Sequence, residues 1–505
     1  MGNHKKLLQF LRPDPASVAP AATKSSSPST SSDSDNDDDD AYSLAPTSSP
    51  STSAVTSAAA SPYRMSPWTQ LPGLGFSGAD EPALVKRQTG LLGSLVKEDG
   101  HVYSLAAAGD LLYTGTDSRN VRVWRDRREC GGFKSGSGLV KAIVVAADGR
   151  IFTGHQDGKV RVWRRRTASS ESTEAEAAVE VEHRRVGTLP RLRDVVSSSL
   201  LPSRYVRTTR RRRTQLWLRH FDAVSCLSLD AAAGLLYSGS WDKTVKVWRV
   251  SDSRCLESVP AHDDAVNAVA AAGFDALLFT GSADGTVKVW RREEEVAENS
   301  NKKGGRRRTR HAMERVLRSG DGAVTAIAVA AEARVVYVGS SDGAVTHWQF
   351  RRGGHGNSAL PPRNGGALRG HKMAVLCLAV AAGRVVVSGS ADRTICVWRR
   401  EEGSAEHARL AVLSGHAGPV KCVAMNEEEE DGGDGEGARR WVVYSGSLDG
   451  SVKVWRVSDD ARGGSGTMMT PARTPAARVW KGAPSPLSAW SPYAAAPETK
   501  RMAAA

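Results

Sequence analysis

Four sets of imidazole, hydroxyl and carboxylate side chains recur along the chain in one order: His220, Ser238 and Asp242; His262, Thr280 and Asp284; His371, Ser388 and Asp392; His416, Ser445 and Asp449. These are the parts of a nucleophilic triad, in which the imidazole takes the hydroxyl proton and the carboxylate orients the ring. Repetition argues against that chemistry. A hydrolase needs one such set, and four at equivalent positions mark a scaffold. No G-x-S-x-G elbow leads from a strand into a helix, and the sequence has no P-loop, dinucleotide fingerprint or H-E-x-x-H. The expectation is a protein without enzymatic activity, cofactor or metal.

The elements that position these residues repeat as well. The stretch YSGSWDKTVKVW, ending at Trp248, has six counterparts, ending at Trp124, Trp163, Trp290, Trp348, Trp398 and Trp455. Each copy carries a hydrophobic residue, a Gly two positions on, a polar tight turn, and apolar positions that alternate up to the Trp. Alternation is the period of a strand, and Asp-Gly or Asp-Lys in the middle is turn chemistry. A short apolar strand precedes each hairpin, as in Val224–Leu227 and Val266–Val269, and a looser outer strand follows. Four short antiparallel strands repeated seven times read as an all-β, seven-bladed β-propeller over residues 88–458. The segment Leu91–Val96 is expected to close the ring as the outer strand of the last blade, removing its free edges.

The flanks differ in composition. Residues 1–87 are rich in Ser, Pro and Ala with an acidic run at Asp37–Asp40, and residues 459–505 are similar. Such segments bury too little apolar surface to offset chain entropy and are expected to be disordered tails. Every Ser-Pro and Thr-Pro pair lies in them: Ser27, Ser49, Ser61, Ser66, Thr470, Thr474, Ser485 and Ser491, candidate phosphorylation sites. The six cysteines form no CxxC pair and no zinc spacing. Cys226, Cys377 and Cys422 occupy one repeat position that is Ser104, Ala142, Ala268 and Ala326 elsewhere, a small packed core site. No apolar run is long enough for a membrane helix, and the expected location is cytoplasmic or nuclear.

On these stretches the chain resembles WD40-repeat proteins. Closer resemblance, to the plant WD40 family of the JINGUBANG type, is carried by HVYSLAAAGDLLYTGTDSRNVRVW, RHFDAVSCLSL, AHDDAVNAV, FTGSADGTVKVWRR, LRGHKMAVLCLAV and SGHAGPVKCVAM. One departure stands out: the Asp of the name-giving Trp-Asp pair is missing, and Trp is followed by Arg in six repeats and by Gln349 in the other. The resemblance implies that each His, Ser/Thr and Asp joins the strand-ending Trp in a buried hydrogen-bonded set, with Trp248, Trp290, Trp398 and Trp455 completing the four sets above. Blades one, two and five depart from it, with Glu98, Gly136 and Gly320 at the His position, and are expected to lean on packing. The resemblance also implies a non-enzymatic scaffold for protein partners in a plant regulatory pathway, as a monomeric propeller.

Partner sites are expected on the face bearing the tight turns, around the channel mouth. Trp241, Phe221 and Leu448 would be exposed anchors there, rimmed by Asp117, Asp222, Asp263 and Asp264, since aromatic anchors dominate protein-binding energetics. The net charge of +14 and the post-Trp arginines point to a basic opposite face. Two other readings follow. A substrate receptor of a cullin-RING ubiquitin ligase would carry the Trp-Asp pair that is missing. A nucleic-acid-associated factor would use Arg210–Arg213 or Lys302–Arg308, clusters that could also signal nuclear import, but aromatic residues among them are scarce.

Overall fold

The structure, a computed structural model, describes residues 90–96, 100–166, 181–201, 205–207, 214–295, 308–351, 361–401, 404, 406–428 and 439–458. The tail segments, Glu98 and the clusters at 210–213 and 302–307 lie outside them. The chain opens with β1 (Gly90–Val96). Blade one follows as β2 (Val102–Ala108), β3 (Leu111–Thr116), β4 (Asn120–Arg125) and β5 (Arg128–Lys134). Blade two is β6 (Val140–Val145), β7 (Arg150–His155), β8 (Val160–Arg165) and β9 (His183–Leu189). Between blades two and three lie helix α1 (Leu192–Ser199) and the small hairpin β10 (Tyr205–Arg207) and β11 (Thr214–Leu216). Blade three is β12 (Val224–Asp230), β13 (Leu235–Ser240), β14 (Thr244–Arg249) and β15 (Arg254–Pro260). Blade four is β16 (Val266–Ala271), β17 (Leu277–Ser282), β18 (Val287–Glu295) and β19 (Arg308–Arg318). Blade five is β20 (Val324–Ala330), β21 (Val335–Ser340), β22 (Ala344–Gln349) and β23 (Arg363–Arg369). Blade six is β24 (Val375–Ala381), β25 (Val385–Ser390), β26 (Thr394–Arg400) and β27 (His407–Ser414). Blade seven is β28 (Val420–Glu427), β29 (Arg440–Ser447) and β30 (Ser451–Ser458).

Each blade is an antiparallel sheet in chain order, and β1 pairs with β30 to give blade seven its fourth strand. The first and last described strands thus close a seven-bladed β-propeller. Its inner strands β2, β6, β12, β16, β20, β24 and β28 follow one another around the axis, with β28 returning to β2. Two local features explain why this sequence stacks into a ring.

The first is the hairpin glycine. A Cβ on Gly446 would sit 2.6 Å from Val102 Cγ1 and 2.7 Å from Cys422 Sγ; on Gly239 it would sit 2.8 Å from Val266 Cγ1 and 2.6 Å from Cys226 Sγ. The same Gly-to-Val contact recurs at every blade boundary, because the missing side chain is the socket for the next blade's first inner valine. All seven valines are at least 97% buried. The second feature is a β-bulge in every inner strand, one residue after that valine, where pairing skips Tyr103, Lys141, Ser225, Asn267, Thr325, Leu376 and Lys421. A bulge re-aims its extra residue, and six of these seven line the cavity at the propeller axis. Among the described residues, no helix is long and apolar enough to cross a membrane.

Candidate functional site: the blade networks and the channel mouth

The four complete sets share one geometry. In blade three, Trp248 Nε1–H donates to Ser238 Oγ at 2.9 Å. Ser238 Oγ lies 2.8 Å from His220 Nε2, and His220 Nδ1 lies 2.9 Å from Asp242 Oδ2. The corresponding three distances are 2.9, 2.7 and 3.1 Å for Trp290, Thr280, His262 and Asp284. They are 3.0, 2.9 and 3.2 Å for Trp398, Ser388, His371 and Asp392, and 2.8, 2.8 and 2.9 Å for Trp455, Ser445, His416 and Asp449. One proton assignment satisfies each chain: indole N–H to hydroxyl, hydroxyl to imidazole Nε2, imidazole Nδ1–H to carboxylate.

Ser238–His220–Asp242 therefore has the connectivity of a hydrolytic triad, yet it cannot act as one. Ser238, Thr280, Ser388 and Ser445 are wholly buried, and the indole N–H occupies the lone pair that a substrate would have to displace. The carboxylates are committed too. Asp242 also accepts from Thr244 Oγ1 at 2.6 Å and from Phe221 N at 3.0 Å. Burial alone would raise the carboxyls of Asp284 and Asp449. Hydrogen bonds from His262 and Thr286, and from His416 and Ser451, outweigh it and hold both well below the usual carboxylate range. Burial lowers the His220 pKa against the pull of Asp242, which keeps the ring neutral. Of the two hydroxyls in each SGS stretch, the first enters the chain. The second closes the turn, as Ser240 does by bonding Asp222 O at 3.0 Å and Asp242 N at 3.1 Å.

The three departing blades do not lean on packing alone; each rebuilds a polar set from other residues. In blade one, Trp124 still donates to Thr114 at 3.0 Å, and Ser118 caps the turn in place of Asp. His101 binds Asp117 at 2.8 Å at the surface. In blade two, His155 stands two residues after Thr153 on the same face of β7 and meets its hydroxyl at 2.7 Å, while Trp163 donates to Thr153 at 2.9 Å. The imidazole thus arrives from the strand rather than from the preceding loop, where Gly136 stands. Burial, with Arg161 adding to it, drops the His155 pKa to about 3. In blade five, Val338 replaces the hydroxyl, and the Arg318 guanidinium reaches into the gap left by Gly320. It donates to Gly322 O at 2.9 Å and Ser340 Oγ at 3.1 Å, and lies 3.6 Å from Asp342.

At the mouth the main correction concerns Trp241. Sequence reasoning expects an exposed anchor, but the side chain is 7% exposed and packs with Ala223, Ala265, Ala283 and Ala323. Seven turns converge here, and the residue before the turn Asp lies beside the axis. Where blades four and six have Ala283 and Ala391, blade three places an indole that covers the channel. Lys141 Nζ sits 4.4 Å from its ring centre, a cation–π contact that engages the indole within the protein. Phe221, Leu448, Asp117, Asp222 and Asp264 are half-buried, and Asp263 is exposed. Asp222 and Asp264 cap the following amides, Ala223 N and Ala265 N, at 2.8 Å each. Met373, on the loop before β24, is 46% exposed, and the sequence repeat gave no reason to single it out.

Of the basic groups expected at the opposite end, the clusters at 210–213 and 302–307 lie outside the described residues. Five of the six post-Trp arginines form ion pairs: Arg125–Asp110 at 2.6 Å, Arg249–Asp252 at 3.3 Å, Arg291–Glu314 at 2.7 Å, Arg399–Glu401 at 3.1 Å and Arg456–Glu428 at 2.7 Å. Among the described residues no group of His, Cys, Asp and Glu could hold a metal ion.

Sequence reasoning also missed a set of contacts between blades. Tyr113 meets His183 of the next blade at 3.2 Å, Tyr237 meets His311 at 3.1 Å, and Tyr337 meets His407 at 2.9 Å. The signal was present. Two residues before the hairpin Gly, odd blades carry Tyr and even blades Phe or Val, while Trp-Arg-Arg and an outer-strand His occur in even blades only.

Comparison with known families matches residues 92–125, 128–164, 212–249, 253–291, 364–399 and 408–456 to the WD40 family model, described as WD domain, G-beta repeat. The unmatched blade is the fifth, where Val338 and Gly320 break the pattern. Among solved structures, the crystal structure of the WD40 β-propeller domain of Doa1 is similar at 19% identity and a TM-score of 0.46, covering 73% of this chain and 97% of that one. Comparison with curated proteins returns no match.

Proposed function

The chain is a WD40-repeat protein, and we propose that it serves as a non-enzymatic scaffold that gathers protein partners on the face of its tight turns. The observation that carries this reading is the complete use of the chemistry-bearing residues within the scaffold. Every repeated His, Ser/Thr and Asp set is closed on itself, so what the fold offers to solvent is shape and surface charge. At the mouth, Phe221, Met373 and Leu448 supply apolar contact area. Asp263, whose carboxylate caps no amide, adds negative charge. This combination suits a peptide with an apolar residue and a flanking Lys or Arg. The close resemblance in sequence to plant proteins of the JINGUBANG type supports a role in a plant regulatory pathway, in cytoplasm or nucleus. In the same reading, segments 1–87 and 459–505 are tails whose Ser-Pro and Thr-Pro sites regulate assembly. The ion-paired post-Trp arginines weigh against a nucleic-acid reading, and the missing Trp-Asp pairs weigh against a ligase receptor.

The test is proximity labelling with the full chain. A variant carrying Asp263→Lys and Met373→Lys should lose its principal partners, while Arg184→Glu on an outer strand keeps them. An unchanged partner set in the first variant would reject this face as the binding surface.

A further inference from the structure

The bulge residues form a ring at the neck of the axial channel, beneath the Trp241 indole. Tyr103, Lys141, Ser225, Asn267, Thr325 and Lys421, with Trp241 as lid, line a cavity holding about 40 Å³ of space open to water. A buried water needs roughly 10–15 Å³ by that measure, so the cavity has room for about three waters or one four-oxygen anion. The donors differ in how far they are committed. Ser225 and Thr325 spend their hydroxyl protons on the carbonyls of Val266 and Val375. Asn267 Nδ2 donates to Val324 O at 2.9 Å. Two groups remain. Lys421 makes no hydrogen bond or ion pair with any described residue, and burial lowers its pKa. Asn267 Oδ1 is buried without a hydrogen-bond partner. A cationic donor without an acceptor and an amide oxygen without a donor thus line one small cavity, where an unpaired polar group is costly.

We propose that this ring is a binding site for a small acid oxyanion of the hydrogenphosphate class, its charged oxygens on Lys421 and its P–O–H on Asn267 Oδ1. Such an ion satisfies both orphans at once. A fully deprotonated oxyanion such as sulfate satisfies only the lysine and meets the amide oxygen with a lone pair. Burial lowers the Lys421 pKa, and a bound anion would offset that by supplying the missing countercharge. The Trp241 lid would then slow release.

The experiment uses the full chain, freed of phosphate by dialysis, with ³¹P NMR and thermal unfolding in inorganic phosphate at constant ionic strength. Saturable binding of one phosphate and a rise in Tm with phosphate concentration are expected. Sulfate should bind at least tenfold more weakly. Lys421→Met, which keeps the side-chain length and removes the charge, should weaken phosphate binding at least tenfold. Asn267→Leu should bring phosphate down to the level of sulfate. No saturable phosphate binding by the unmodified chain up to tens of millimolar overturns the proposal, whatever the variants do. Sulfate binding as tightly as phosphate, or unchanged binding in Lys421→Met, overturns it equally.

Discussion

Replacing Ser238 by Ala removes one oxygen that two buried groups depend on. Trp248 Nε1–H loses its acceptor at 2.9 Å and His220 Nε2 loses its donor at 2.8 Å. Trp248 is 1% exposed and His220 2%, so neither can turn to water without opening the blade. An orphaned buried donor or acceptor costs about 1–3 kcal/mol, which puts the loss at about 2–6 kcal/mol for the pair. Two controls isolate the cause. Ser240→Ala, in the same strand, frees only turn groups and should cost about 1 kcal/mol. Ser238→Thr keeps the hydroxyl, in the form blades one, two and four already use at Thr114, Thr153 and Thr280, and should recover most of the loss. Urea unfolding with unchanged m reads all three as differences in stability. A loss below about 1 kcal/mol for Ser238→Ala, or one equal to that of Ser240→Ala, would refute the argument that these chains pin the blades through mutual saturation.

Three further outcomes follow from other parts of the ring. Gly446→Ala drives a Cβ into Val102 and Cys422 at the closing blade boundary and should cost about 1–3 kcal/mol; Gly187→Ala, with nothing within 4 Å, should change urea stability by less than about 0.5 kcal/mol. Tyr237→Phe deletes the hydroxyl bonded to His311 at 3.1 Å and should lower stability by about 1 kcal/mol, with no corresponding effect of Phe279→Leu on His pairing by NMR. Stability should also fall in acid. His155 and His220 are held neutral by burial, so the unfolded chain takes up their protons first, as pH drops below about 6.5. The depressed carboxyls of Asp284 and Asp449 add to the loss as pH falls through their unfolded value of about 4. Thermal melts between neutral pH and pH 4 check the sign: stability that rises on acidification would contradict it.

The fold was legible because its signal is redundant. Seven copies of one hairpin state the blade, and the glycine, the first inner valine and the strand-ending Trp recur in nearly the same register. The four networks were legible for the same reason. What could not be read was the direction of side chains relative to the axis. A turn residue is ordinarily exposed, and nothing local in Ser240-Trp241-Asp242 says that seven such turns meet at one point; Trp241 is buried only because neighbouring blades place alanines around it. The bulges were equally hidden, since a bulge is a property of pairing between strands. Substitution across blades leaves no mark within any single position of the repeat. His155 and Arg318 restore polar contacts from other columns, and such exchange shows only when distances are known.

The Tyr–His contacts show how an odd ring accommodates a two-blade alternation. They join blades one to two, three to four and five to six. Each pairs an odd blade's Tyr with an even blade's His. With seven blades the alternation must fail once, since blade seven and blade one are both odd. It fails where the ring closes. Tyr444 of blade seven faces Asp126 and Arg127 of blade one in place of a His, and both residues adopt a left-handed backbone (φ 47° and 66°). That junction is tied in other ways. Arg127 donates to Leu92 O at 3.0 Å, Asn426 Nδ2 donates to Gly109 O at 2.7 Å, and β1 pairs along the length of β30. The Asn426 bond and the β1–β30 pairing join segments far apart in sequence, so each removes more freedom from the open chain than a contact between neighbours does. Where the repeat cannot supply its usual pairing, the closing strand β1 supplies it instead, and this boundary depends on residues that the twelve-residue hairpin does not contain.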